Sequence, residues 1–278
     1  MKLLSKKEKY ILLGFLGTAV LALALAYIST PSGALEVHFL DIGQGDAIFI
    51  ETPSGRQILI DGGRPDSPIL QRLSKYMPFY DRHIDIVVAT HMDADHIGGL
   101  VDVLENFEVD MVLVSTSEAN SPLSQKFWQV IEDKNIAVIK TETGDLFKLD
   151  TDIEMRTLHP APEFKTNDDN DTSLVFKLVY LEDSFLLTGD IEKRAEYALA
   201  QSGIDITADV LKVGHHGSNT SSVQYFLDRV GAKLAVIQVG ENTYGHPHPA
   251  VLKRLEDIQI LRNDLNGDIT IYSYGNSI

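Results

Sequence analysis

The stretch from Ile84 to Leu100, IDIVVATHMDADHIGGL, constrains the fold more than any other part of the chain. Its apolar, β-branched start reads as a strand buried on both faces. The strand runs straight into His91, Asp93, Asp95 and His96, followed by a glycine pair and an apolar segment that predicts a helix over 98–107. Ligand sites of α/β sheets gather at the carboxyl ends of such strands. A helix cap would explain one acid, Asp95, but not a second acid and two imidazoles beside it. Burying such a cluster is costly without a counter-charge, so the pattern points to metal. His91, Asp93 and Asp95 alternate on an extended loop, and His96 leads into the helix.

On either side of this point the patterning repeats. ALEVHFLDIG, DAIFIETP and RQILIDGG read as three consecutive antiparallel strands, with Pro53-Ser54-Gly55 as a turn. Gly43 and Gly45 invite a dinucleotide-binding reading. The third glycine is missing, however, and AIFIE reads as strand where that motif requires a helix. From Pro65 helices and strands alternate, 135–158 returns to short strands, and TSLVFKLVYLEDSFLLTGD reads as a hairpin turning at Glu182-Asp183. The tail then alternates again. Each half is a β-rich stretch followed by β/α units, which predicts two sheets packed together with helices outside, a four-layered αββα sandwich.

Before this domain lies MKLLSKKEKY and then an uncharged apolar run from Tyr10 to Ile28. As a helix the run would rise about 28 Å, close to the hydrocarbon thickness of a bilayer. The reading is a basic tail and transmembrane anchor over 1–31, preceding one globular domain over 32–278. Lys2, Lys6, Lys7 and Lys9 would hold the N-terminus in the cytoplasm and send the domain across as a single-pass membrane protein. Ala24-Leu25-Ala26 and Ser32-Gly33-Ala34 also offer small-residue cleavage sites, so a signal segment is the alternative. No cysteine is present, which removes disulfides and thiolate ligands; metal must bind through His, Asp, Glu or Asn. The net charge of −16 opposes loose polyanion binding.

THMDADHIGG resembles the metal motif of the metallo-β-lactamase superfamily, with Asp93 where a second histidine is commonest. FLDIGQGDAIFI, NDTSLVFKL, LLTGD, KVGHHGS and YGHPHP follow in the order found in the hydrolase domain of ComEC-type competence proteins, and the similarity runs from about residue 35 to the end. The resemblance implies two divalent ions, Zn²⁺ or Mn²⁺. One would take His91, Asp93 and Asp190, the other Asp95, His96, Asp190 and His216, with Asp190 bridging. His215 and His216 could exchange roles. Asp95, His215 and His248 are the catalytic candidates, with His248 as a leaving-group proton donor or phosphate contact. Asn170, Ser218 and His246 are the substrate-binding candidates, and Lys212 is a weaker one. Oxygen-rich ligation at the first site would favour Mn²⁺ or Mg²⁺ over Zn²⁺.

The function expected is a membrane-anchored, extracytoplasmic, binuclear metal hydrolase acting as a phosphodiesterase or nuclease. Its partners would be DNA or another phosphodiester, a membrane permease, and the lipid bilayer through the N-terminal helix. The resemblance covers one domain of such proteins, so the chain would not itself form a DNA channel. The alternatives are hydrolysis of a lactone, β-lactam or wall phosphoester, or a non-catalytic binding module of the same fold.

Overall fold

The computed structural model describes residues 5–28, 33–116 and 120–278, with side chains in the first of these segments up to residue 21. The chain divides into two compact units, Met1–Ser32 and Gly33–Ile278. In the first, α1 (Lys6–Ile28) carries Lys6, Lys7, Glu8 and Lys9 in its opening turns. Among the described residues no helix is long and apolar enough to cross a membrane. This corrects the expected transmembrane anchor, and with it the single-pass, extracytoplasmic placement. Lys2 and Ser32 lie outside the described residues, as do the side chains of Ala24-Leu25-Ala26.

The second unit begins with β1 (Leu35–Phe39), β2 (Ile48–Glu51), β3 (Gln57–Ile60), α2 (Ile69–Tyr76), β4 (His83–Ala89), α3 (Ala94–Asn106), β5 (Glu108–Val114), α4 (Pro122–Lys134) and β6 (Ala137–Lys140). It continues with β7 (Leu146–Asp150), β8 (Ile153–His159), β9 (Val175–Tyr180), β10 (Asp183–Leu187), α5 (Lys193–Gln201), β11 (Val210–Lys212), α6 (Gln224–Val230) and β12 (Leu234–Ile237). The chain closes with α7 (Pro249–Arg254), β13 (Gln259–Arg262), α8 (Asn263–Asn266) and β14 (Ile269–Ser273). Among the described residues these strands form two seven-stranded sheets, ordered β14-β1-β2-β3-β4-β5-β6 and β13-β12-β11-β10-β9-β8-β7. Each sheet is antiparallel at its start and parallel afterwards, from β3 to β6 and from β10 to β13. The last strand returns to the first sheet and pairs antiparallel with β1.

Three apolar layers hold the sheets and helices together. Val37, Ile50, Ile60 and Val88 meet Met155, Phe176, Phe185 and Val210 between the sheets. On the outer face of the first sheet, Phe49, Leu59 and Val87 pack against Leu73, Ile97, Leu104 and Phe127 of α2 to α4. On the outer face of the second, Leu186, Leu211 and Ile237 pack against Leu199, Phe226 and Val251 of α5 to α7. Successive residues of a strand face opposite ways, so Val87 serves the helices and Val88 the facing sheet. Each such buried side chain contributes about 1.5–3 kcal/mol of transfer free energy. The result is the αββα sandwich expected from the patterning.

One local difference matters. The helix after the metal motif begins at Ala94, four residues earlier than the apolar periodicity predicts, with Asp93 as its N-cap residue. Asp95 therefore sits in the first turn of α3 and not on an extended loop, while His96 lies in the helix as expected. Gly99 permits this, because a Cβ there would collide with the Gly62 carbonyl oxygen after β3.

Candidate metal centre

The carboxyl ends of parallel strands from both sheets deliver the site. Asp61 follows β3, His91 follows β4, Asp190 follows β10, His215 and His216 follow β11, and Gln238 follows β12. His96 Nε2 lies 3.2 Å from Asp190 Oδ2. His216 Nε2 lies 3.3 Å from the same oxygen and 3.5 Å from Asp95 Oδ2. The His91 and His96 rings pack with centroids 4.1 Å apart, and His91 Nε2 is 3.7 Å from Asp93 Oδ2. The potential ligand atoms of His91, His96 and Asp190 all fall within 4.8 Å of one another, as do those of Asp95, His96 and His216. Asp46 joins two further groups of this kind, one with Asp190 and His216 and one with Asp61 and His96.

The hydrogen bonds show that these residues fit a divalent cation. His96 Nδ1 lies 2.8 Å from the Asp61 carboxylate, which can only accept when ionised. Asp61 also accepts from the Thr90 N–H at 2.9 Å and the Thr90 hydroxyl at 2.7 Å. His216 Nδ1 donates to the Gln238 carbonyl at 2.9 Å. His91 Nδ1 lies 3.1 Å from Thr90 Oγ1 and 3.2 Å from Ser173 Oγ, the latter already accepting from the Asp190 N–H. Each imidazole thus directs Nδ1 at the protein, while Nε2 is buried without a hydrogen-bond partner in all three. Three orphaned Nε2 atoms beside one carboxylate are the donor set of a metal site, and the Nδ1 partners are the bonds that fix ligand tautomer and orientation.

Charge tells the same story. Burial disfavours the cationic form of His96 and His216, but Asp190 with Asp61, and Asp190 with Asp46, outweigh it and raise both imidazoles well above their ordinary value. Burial likewise opposes ionisation of Asp190, yet His216, His96 and Lys212 bring its carboxyl well below the usual range. The cluster carries more acid than its imidazoles neutralise without protons, and a divalent cation answers that demand by displacing protons.

At the rim the histidines differ. His215 is 22% exposed, and its Nδ1 lies 2.9 Å from Glu192 Oε1, which also accepts from the Thr220 hydroxyl at 2.5 Å. His215 and His216 both adopt left-handed backbone, with φ of 48° and 53°. That strain, on the order of 1–3 kcal/mol per residue, persists only where side-chain anchors over-determine it; here Glu192 and Gln238 are the anchors. His248 caps α7, its Nδ1 accepting from the Ala250 N–H at 3.1 Å, which leaves the proton of the neutral ring on Nε2. The His246 ring lies 5.5 Å from that of His215, and burial followed by His215 and His216 lowers its pKa to about 4. Asn170 Nδ2 lies 3.5 Å from His215 Nδ1. A cavity of about 800 Å³ opens here, lined by Asp93, Asn170, Asp171, Glu192, Lys193 and Arg194 among others.

Of the residues singled out in the sequence, His91, Asp95, His96, Asp190 and His216 converge, with Asp93 on the cavity side. His215, His246 and Asn170 border them. Ser218 is buried and tied to Thr220 at 2.8 Å, inside its own loop. Lys212 is fully buried, so the reading of it as a substrate contact is corrected: its ammonium faces Asp46, Asp190 and the Gly189 carbonyl. Sequence reasoning missed Asp46, the Asp61 contact to His96, and Glu192. Asp46 left a signal, as an acid placed directly before the apolar strand AIFIE behind a glycine pair.

Stacked mixed sheets with a His/Asp cage at their strand ends define a metallohydrolase-type α/β sandwich. The chain belongs to the metallo-beta-lactamase superfamily, whose family model matches residues 40–241. This makes it a metal-dependent hydrolase in its general class, with candidate divalent-metal ligands. It is 33% identical over 263 residues to ComE operon protein 3 of Bacillus subtilis (strain 168), covering 87% of this chain and 33% of that protein. It is 30% identical over 266 residues to competence protein ComA of Neisseria gonorrhoeae, covering 92% of this chain and 35% of that one. The chain thus spans about a third of the length of these competence-related relatives. Among solved structures, the metallo-beta-lactamase fold protein YhfI from Bacillus subtilis matches with a TM-score of 0.58 at 12% identity, covering 86% of this chain and 99% of that one. At that identity the likeness is one of fold.

Proposed function

We propose that the protein is a binuclear metal-dependent phosphodiesterase, with single-stranded DNA as the substrate that its competence-named relatives suggest. The observation that carries the reading is the convergence of the orphaned Nε2 atoms of His96 and His216 on the buried Asp190, with His91 grouped beside them. His91, Asp93 and Asp190 would hold one cation, and Asp95, His96, His216 and Asp190 the other. When bound, divalent cations supply Lewis-acid polarisation of the ester and of the attacking water. The chain's own residues do the rest. Asp61, Gln238 and Thr90 keep the three imidazoles oriented. Glu192 holds His215 at Nδ1 and leaves Nε2 for proton transfer. His248, with its proton on Nε2, is placed in this reading as donor to the leaving oxygen. The carboxylates of the donor set favour Mn²⁺. The permease partner expected from the resemblance belongs to the same proposal.

The full chain loaded with Mn²⁺ or Zn²⁺ is to be assayed on bis-p-nitrophenyl phosphate, single-stranded DNA and nitrocefin. The expected result is cleavage of the two phosphodiesters and not of nitrocefin. Asp190→Ala is expected to lower phosphodiester cleavage at least about 100-fold, since outer-shell changes alone cost 10–100-fold. Cleavage of nitrocefin alone would replace this reading with β-lactam hydrolysis.

A further inference from the structure

We propose that Lys212 is a built-in counter-ion, a positioning residue that turns one oxygen of Asp190 into the cage and holds Asp46 against the Nδ1 side of His216 before any divalent cation arrives. The proposal deepens the metal reading above and rests on it for the role of Asp190.

Lys212 ends β11 and has no exposed surface. Its ammonium pairs with Asp46 Oδ2, donates to the Gly189 carbonyl at 2.7 Å, and lies 3.4 Å from Asp190 Oδ1. Each carboxylate is therefore divided. Asp190 turns Oδ1 to the lysine and Oδ2 to His96 and His216. Asp46 turns Oδ2 to the lysine, while Oδ1 is buried without a hydrogen-bond partner, 3.3 Å from His216 Nδ1. A buried ammonium out of reach of any substrate is expensive to keep, and a well-packed apolar side chain in its place is often no less stable. What an apolar side chain could not do is hold two acids together, Asp190 with one oxygen turned to the open Nε2 atoms and Asp46 behind His216.

The glycine pair that imitates a dinucleotide motif belongs to this device. Gly45, at φ +128°, has no room for a Cβ, which would collide with the Asp95 carbonyl oxygen. The Asp46 N–H donates to that same oxygen at 3.3 Å. The GQGD loop thus presses against the first turn of α3 and carries Asp46 to Lys212 on the other sheet.

The test is thermal unfolding of the full chain, metal-free and Mn²⁺-saturated, for the unaltered protein, Lys212→Met, Asp46→Asn and Asp46→Asn/Lys212→Met. In the metal-free state Lys212→Met leaves two buried carboxylates uncompensated, and its midpoint is expected to fall by about 10 °C. Adding Asp46→Asn is expected to recover about half of that loss, because one of the stranded charges goes with it. Mn²⁺ is expected to narrow the gap between Lys212→Met and the unaltered chain, since the cations neutralise Asp190, one of the two carboxylates the lysine serves. An equal loss with and without Mn²⁺, unrelieved by Asp46→Asn, would mean that Lys212 only fills space and would overturn the proposal. If Mn²⁺ raises the midpoint of no protein, the metal reading has failed, and the metal-free coupling between Asp46→Asn and Lys212→Met still decides for or against the counter-ion. If Lys212→Met does not fold, folding of the double variant supports the proposal and failure of both overturns it.

Discussion

The floor of the site and its rim are both built of histidine, and they differ in burial and in the partners that hold them. On the floor His91, His96 and His216 are buried, each held at Nδ1 by a neighbour with Nε2 left bare. On the rim His215, His246 and His248 are partly exposed, and solvent reaches the groups around them. A locked imidazole with one open lone pair is a ligand, whereas an imidazole with access to water can exchange its proton during turnover. The same residue type thus serves two chemistries, and burial with the Nδ1 partner decides which.

Replacing one residue of each kind breaks the comparison most sharply. His216→Ala is expected to lower phosphodiester cleavage at least about 100-fold and to reduce bound Mn²⁺ measured by elemental analysis. His248→Ala should slow cleavage while leaving the metal content unchanged. Equal metal loss in both variants would erase the distinction between floor and rim.

A smaller effect is expected where the floor is touched only through its supports. Asp61→Asn keeps the shape but offers the His96 Nδ1–H a weaker acceptor. Its Mn²⁺ affinity, read by chelator competition, should fall about 10–100-fold with the fold intact. Smaller again is Glu192→Gln, which loosens His215 on the rim. It should lower kcat about 10-fold, a fraction of what general acid–base catalysis supplies, with KM and metal content unmoved. Loss of metal in Glu192→Gln would move Glu192 from rim to floor.

The same division governs what the sequence makes legible. His91, Asp93, Asp95 and His96 are contiguous because one loop and one helix turn carry them, so a linear reading finds them. Asp190 and His216 arrive singly from separate strand ends of the second sheet, and only resemblance gathers them. The two-sheet layering is legible because each half repeats a period-two stretch followed by β/α units. Asp46 and Lys212 escape, since their meaning is mutual: 166 positions apart in the chain, they become a pair only when the sheets stack. The earlier start of α3 escapes for another reason, as Ala94 to His96 carry no apolar period and join the helix because the loop after β3 packs against Gly98 and Gly99.

Behind the rim a last titratable group sharpens the contrast at the lowest cost to activity. Glu196 on α5 is almost wholly buried and accepts from the Ser222 and Val223 N–H groups at 2.5 and 2.8 Å, bracing the turn that follows the His215-His216 loop. Burial pushes its carboxyl from an ordinary value near 4.5 up to about 7, against the lowering effect of those two N–H groups. The folded state therefore binds this proton more tightly than the unfolded chain. The contribution to stability is fully present below about 4.5 and is lost as pH rises through about 7. Glu196→Gln removes the titration while keeping the size of the side chain. Urea midpoints of the unaltered chain and the variant should therefore move in the variant's favour between pH 5 and pH 8, by no more than the equivalent of about 10 °C. A difference that stays constant across that window would show that Glu196 does not titrate there. The bound Mn²⁺ of the variant should match that of the unaltered chain, because the brace supports the loop from behind and touches none of the three Nδ1 partners that orient the floor.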